Sequence, residues 1–156
     1  MNPDTFPPVE TLIPHSGELV LLDHLLTVSE EGLTAALTVR ADGLYNHGDQ
    51  VPAWVGMEYM AQGVAAFAGW HAWCEQRPVQ LGFLLGSRRY NCSHEAFPVG
   101  TVITVAVKPL LQDSSGMAVF ECALSGDGLR ADARLNVFEP KDSDPYLQQK
   151  LRDNHE

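Results

Sequence analysis

The sequence predicts an α+β domain in which an antiparallel sheet of about six strands wraps one long apolar helix. Three observations carry this. Between Trp54 and Cys74 only Glu58, Gln62 and His71 are strongly polar, so the stretch is apolar on every side, as a helix buried from all directions is. The segments before and after it alternate apolar and polar residues with the period of strands. Turn sequences at Glu30-Glu31-Gly32, 112–116 (QDSSG) and 125–128 (SGDG) join those segments at hairpin spacing.

Taken in order, residues 1–18 contain Pro3, Pro7, Pro8 and Pro14 and are expected to be irregular. Leu19 to Val28 reads as a first strand. Leu33 to Val39 reads as a second, with Leu33, Ala35, Leu37 and Val39 on a buried face and Thr34, Ala36 and Thr38 opposite. Residues 41–51, with Gly43, Gly48 and Asp49, read as loop. Pro52 suits a first helical turn, where its missing N–H costs nothing, so the helix is expected from there to Cys74 or Glu75, stopped by Pro78. A long extended run follows over 79–92, bent at Gly82 or Gly86. Strands over 101–111, 117–124 and 129–138 complete the sheet, the last burying Leu129, Ala131, Ala133, Leu135 and Val137 against exposed Arg130, Asp132, Arg134 and Asn136. One domain over 1–140 and a polar tail over 141–156 are expected, the tail either a short Asp-capped helix or disordered.

The bulk numbers narrow the function. The 156 residues are enough for a proper core. A net charge of −10 disfavours nucleic acid and anionic membranes as partners. Three widely spaced cysteines, Cys74, Cys92 and Cys122, are no disulfide framework and imply a reducing, cytoplasmic setting. The N-terminus lacks a signal-peptide pattern. The 54–74 segment is long enough to span a bilayer, but its glycines, alanines and early glutamate favour burial inside a protein.

A sheet wrapped round a central helix is the hotdog fold. A helix this apolar is not covered by one sheet, which implies dimerisation. Within that frame three stretches carry a resemblance. Residues 12–28, LIPHSGELVLLDHLLTV, present Pro14-His15 ahead of an apolar run ending in Leu22-Asp23. Residues 51–62, VPAWVGMEYMAQ, present Pro52, Glu58, Ala61 and Gln62. Residues 86–105 present a basic-aromatic run followed by Pro98-x-Gly100. Together they resemble the β-hydroxyacyl-acyl-carrier-protein dehydratases, and within them the dehydratase-like proteins of aryl-polyene pigment clusters, over roughly residues 10–138. One departure stands out. The family's His-Phe-Pro-Gly loop is shorter here, and His47 precedes Glu58 by only eleven residues. Two readings stay open: His47 fills the catalytic place, or the chain is a partner-dependent subunit.

The resemblance implies elimination of water from a 3-hydroxyacyl thioester held on an acyl carrier protein by phosphopantetheine. That chemistry needs a base at the carbon next to the thioester, an acid for the departing hydroxyl, and donors for the enolate-like oxygen. A histidine titrates near neutrality and suits the first role. A carboxyl in apolar surroundings suits the second, and backbone amides at a helix start the third. The residues expected in these roles are His47 as base, Glu58 as acid, and the amides of Val55, Gly56 and Met57. Gln62 lies four residues on and is expected to orient Glu58. The family builds its site across a dimer, histidine and glutamate coming from different chains. Other readings compete: a glutamate in an early helical turn also suits the helix dipole at a surface, and a loop histidine is often merely solvated.

Asp49 is expected to cap or turn, and His15 and Asp23 to fix the N-terminal segment. His71 and Cys74, as H-x-x-C, are a weak zinc signal, and no metal or other cofactor is implied. Trp54, Trp70 and Trp73 are expected in core or dimer packing. The small residues Gly63, Ala65, Ala66, Ala68 and Gly69 fit either close packing or an acyl channel. An acidic carrier needs a local basic patch on so acidic a protein, and Arg88 and Arg89 are the expected contacts, with Lys108, Arg130 and Arg134 elsewhere on the sheet. Two rivals remain: a hotdog thioesterase in which Glu58 activates water, and a non-catalytic subunit of a hetero-oligomeric dehydratase.

Overall fold

The computed structural model describes residues 6–76 and 83–138. Its strands are β1 (His24–Ser29), β2 (Gly32–Thr38), β3 (Gln50–Pro52), β4 (Phe83–Cys92), β5 (Ala96–Pro98), β6 (Val102–Gln112), β7 (Met117–Gly126) and β8 (Leu129–Phe138), and its helix is α1 (Val55–Cys74). Six strands form one antiparallel sheet in the order β1-β2-β6-β7-β8-β4, and β3 and β5 pair separately. The tail expected over 141–156, Pro78 and Gly82 lie outside the described residues.

The alternation read from the sequence is what makes the sheet one-sided. Leu33, Ala35, Leu37 and Val39 are buried, as are Ile103, Val105 and Val107 of β6 and Leu129, Ala131, Ala133 and Leu135 of β8. These faces close on α1, whose glycines let the sheet approach. A Cβ at Gly63 would stand 3.0 Å from Val107 Cγ1 and 3.2 Å from Val105 Cγ1. At Gly69 it would collide with the carbonyl of Leu12. These glycines are therefore close-packing positions rather than the lining of a channel. Phe67 adds an edge contact to Phe120, with ring centroids 5.7 Å apart.

Two boundaries differ from expectation, each for a physical reason. The helix begins at Val55 rather than Pro52, because Val51 and Pro52 pair with Phe97 and Ala96 in the small β3–β5 sheet. Ala53 N then donates to Glu95 O at 3.0 Å, which ties the entry turn to the approach to β5. The first strand begins at His24, not Leu19. The backbone of 19–21 is engaged instead by Gln62, whose Nε2 donates to Leu19 O at 2.6 Å and whose Oε1 accepts from Leu21 N at 2.9 Å. Among its described residues the irregular N-terminal region contains two 3-10 turns, Val9–Thr11 and Gly17–Leu19, with Val9, Leu12 and Ile13 buried against the core. The bend expected at Gly86 appears as a register shift between Leu84 and Gly86 where β4 pairs with β8. No described helix is long and apolar enough to cross a membrane.

Candidate active site at the start of the central helix

Two short elements deliver the functional side chains to the N-terminal end of α1: the helix itself and the segment around Pro14-His15. The helix has no side-chain cap at Trp54. Its first turn is closed by its own backbone, Gly56 N donating to Ala53 O at 3.0 Å and Met57 N to Trp54 O at 3.2 Å. In the free chain both amides expected in the oxyanion role, those of Gly56 and Met57, thus already have acceptors. Among the described residues no hydrogen bond engages the amide of Val55, whose side chain is buried. Gly56 has a different task. A Cβ there would collide with the Tyr90 hydroxyl and stand 2.9 Å from Leu124 Cδ1. Its absence lets Tyr90 reach under the turn and donate to Ala53 O at 2.5 Å. Burial, first of all, raises the Tyr90 hydroxyl above the ordinary tyrosine range and keeps it a donor.

Glu58 sits in the first turn of α1, where its charge suits the dipole. Its side chain is 37% exposed, so within one chain it stands at an open mouth rather than inside a sealed apolar tunnel. Its ion-pair partner among the described residues is His15, Nε2 to Oε1 at 3.6 Å. His15, expected to do no more than fix the N-terminal segment, is thus the histidine that this chain brings to its own glutamate. The signal in the sequence was the Pro14-His15 pair, but no spacing rule links residues 43 positions apart. Asp23 does have the structural part expected of it, accepting from Thr38 N at 2.7 Å and from Arg40 Nη2 at 2.9 Å.

His47 lies elsewhere. It is exposed, its N–H donates to Gln50 O at 2.8 Å across an isolated bridge, and no described ion pair joins it to Glu58 of the same chain. Asp49, also exposed, anchors that loop through its carbonyl, which accepts from Val99 N at 2.9 Å. Gln62 is fully buried, and its amide holds Leu19 and Leu21 rather than the Glu58 carboxylate. The expectation that it orients Glu58 directly is corrected on that ground.

The rim of the mouth is formed by β4. Ser87 Oγ lies 3.3 Å from Met57 Sδ, and Tyr90 reaches Ala53, so the strand lies along the Glu58 turn. Between them Arg89 is exposed and takes φ 58°, within a register shift from Arg88 to Asn91. Such bulges re-aim side chains and recur beside active sites. Arg88 pairs in register with Arg134. Lys108 and Arg134 each stand opposite Glu121 across the sheet, an arrangement that offsets their charge.

A cleft of about 200 Å³ opens next to this turn, its walls including Leu37, Val39, Arg40, Tyr45, Val55 and Tyr59; Glu58 is not among them. Burial pushes the Tyr59 hydroxyl up to about 12, and nearby Arg40 opposes that rise. Trp54 and Trp73 are each 55% exposed and so are not core residues of the single chain. Trp54 makes an edge contact with Tyr45 at 5.5 Å. The His71 ring packs between Phe67 and Trp70. Among the described residues no group of three or more His, Cys, Asp or Glu could hold a metal ion.

Known proteins agree with this architecture. Residues 7–148 match the family model described as ApeP-like, ApeP dehydratase. The dehydratase heterocomplex ApeI:P from Xenorhabdus doucetiae contains a chain with TM-score 0.82 and 32% identity, over 94% of this chain and 98% of that one. A conserved protein of Pseudomonas aeruginosa has TM-score 0.63 and 20% identity over 85% of this chain and 99% of its own. A hypothetical thioesterase of Streptococcus pneumoniae, solved with coenzyme A, has TM-score 0.57 and 12% identity over 74% and 83%. At those two lower identities the likeness is one of fold alone, the hotdog fold. No curated protein matches. With its mouth at Glu58, its hotdog sheet and a family match running almost from end to end, the chain belongs to the ApeP-like dehydratase family.

Proposed function

We propose that this protein is the Glu58-bearing subunit of a 3-hydroxyacyl-[acyl-carrier-protein] dehydratase of aryl-polyene biosynthesis, assembled with a second hotdog subunit. The observation that carries the reading is a glutamate in the first turn of an otherwise apolar helix, open to solvent and faced by a histidine of its own chain. In the reaction a base takes the proton from the carbon next to the thioester. The electron pair moves to form the C2=C3 double bond, and the hydroxyl on C3 leaves with a proton from Glu58 as water. Position at the mouth leaves the Glu58 carboxyl within reach of an entering substrate, which the acid role requires.

His47 is the base in this reading, serving a neighbouring subunit. Its exposure, and the absence among the described residues of an ion pair from it to Glu58 of the same chain, support such use across an interface. The Val55 amide remains a donor candidate for the thioester oxygen. Arg88 and Arg89 would meet the acidic carrier, supported by the exposed bulge at Arg89 along the rim. The solved relative is a heterocomplex, which supports a second hotdog chain as partner.

A second reading is favoured by the engaged amides of Gly56 and Met57: the chain completes a partner's site without turning over substrate at its own. The test is to load a 3-hydroxyacyl group on an acyl carrier protein and follow its mass with the chain alone, with the copurified complex, and with a complex carrying Glu58→Ala. Loss of one water that disappears in the variant supports the catalytic reading. Dehydration unaffected by the variant supports the auxiliary one, and loss of the whole acyl group indicates a thioesterase.

A further inference from the structure

His15 is held by two anchors. On one side Leu12 and Ile13 are buried, with the Leu12 carbonyl seated where Gly69 has no side chain. On the other, Gln62 grips the backbone at Leu19 and Leu21. Between these anchors the imidazole is fixed against the first turn of α1 with its two nitrogens in unlike surroundings. Nε2 faces Glu58 Oε1 at 3.6 Å, while Nδ1 is buried with no hydrogen-bond partner.

That asymmetry selects a tautomer. A buried N–H without an acceptor is rarer and costlier than a buried lone pair without a donor. The neutral ring therefore carries its proton on Nε2, toward the carboxylate. A separation of 3.6 Å is beyond a formed hydrogen bond, but contacts of this kind tighten when substrate binds. The same geometry denies His15 the task of base, because its lone pair is on the buried nitrogen. The proton acceptor for the reaction has to come from elsewhere.

We propose that His15 is the positioning residue of Glu58: its Nε2–H holds Oε1, and so fixes the carboxyl with Oε2 directed to the substrate. The proposal rests on the dehydratase reading of Glu58, yet its geometric part stands by itself. His15 does not touch the reacting atoms. It acts through Glu58.

Two measurements test it. In the copurified complex with a carrier-bound 3-hydroxyacyl substrate, His15→Gln keeps an N–H near the Nε2 position and His15→Phe removes it while keeping a flat ring. The expected result is a kcat within about threefold of wild type for His15→Gln and lower by at least about tenfold for His15→Phe, with KM unchanged in both. His15→Phe at full kcat, or His15→Gln as impaired as His15→Phe, overturns it. Independently of turnover, long-range 1H–15N NMR of the histidine rings in the isolated chain, assigned with His15→Gln, is expected to show His15 protonated on Nε2. Protonation on Nδ1 overturns the proposal even if the complex is active. An inactive complex with the expected tautomer instead removes the dehydratase reading and leaves the held geometry in place.

Discussion

Gln62 Nε2 donates to the carbonyl of Leu19 at 2.6 Å, one helical turn beyond Glu58. With its companion bond from Leu21 N it fastens the N-terminal segment to α1, and that segment carries His15 to the carboxylate. A single buried polar residue thus links the packing of the chain's start to the geometry of the site.

Replacing Gln62 with Leu leaves the Leu21 N–H and the Leu19 C=O without their partners at a part-buried position. The expected cost is about 2 kcal/mol, the low end of about 1–3 kcal/mol for each of the two orphaned groups, because water can reach them in part. Urea unfolding followed by circular dichroism measures it, and a midpoint equal to that of the wild type would show that the clamp contributes nothing.

Gly69→Ala tests the other anchor. In a helix interior the change should gain about 1 kcal/mol of propensity, but the new methyl group meets the Leu12 backbone, which has nowhere to go. Overpacking of this kind costs about 1–3 kcal/mol, so a lowered melting temperature is expected. Gly86→Ala is the control, for a Cβ there has no heavy atom within 4 Å and the backbone needs no left-handed φ.

Burial raises the Cys122 thiol from 9.0 to about 12. Between those values the unfolded chain has lost the proton that the folded chain keeps, so the unfolded state binds fewer protons and stability falls as pH rises. The slope is about 1.4 kcal/mol per pH unit at most. Tyr59, also raised to about 12, adds to it above the ordinary tyrosine value of 10.0. Stability measured from pH 8 to 11 should decline, and Cys122→Ala should flatten the part that begins near 9.0. At neutral pH a thiol reagent should modify exposed Cys74 first and Cys122 only after unfolding.

Arg89→Glu places an acid on the exposed bulge beside the mouth. If the carrier docks there, KM for the carrier-bound substrate rises about tenfold at low salt, with kcat little changed and the difference shrinking as salt is added. A KM that does not move with the substitution removes Arg89 from the docking surface.

The large elements were legible because their signals are local. Leu33 to Val39 and Leu129 to Val137 are buried largely as the alternation says, apart from Ala36, which is buried although it was expected on the opposite face, and Val137, which is only partly buried. The apolar run that ends at Cys74 is one helix. What was not legible depends on contacts distant in sequence. The three-residue strands β3 and β5 have no period to detect, and Pro52 fits a strand edge as well as a helix start. Gln62 and Glu58 share a helix and a spacing of four, which suggests a direct contact; the Leu19–Leu21 backbone captures Gln62 instead, because a buried amide takes whatever groups lack partners. Glu58 drew notice by its setting, a carboxylate in an apolar helix, whereas nothing local marked His15 as the histidine that faces it.

The central claim is that Glu58 supplies the acid for dehydration of a carrier-bound 3-hydroxyacyl chain. Its most direct test is intact-mass analysis of a loaded acyl carrier protein incubated with the copurified complex, wild type against Glu58→Gln, which keeps the shape and removes the proton. The account predicts loss of one water with wild type, slowed by at least about a hundredfold in Glu58→Gln. Equal dehydration by both would contradict it and place the working carboxylate in another chain.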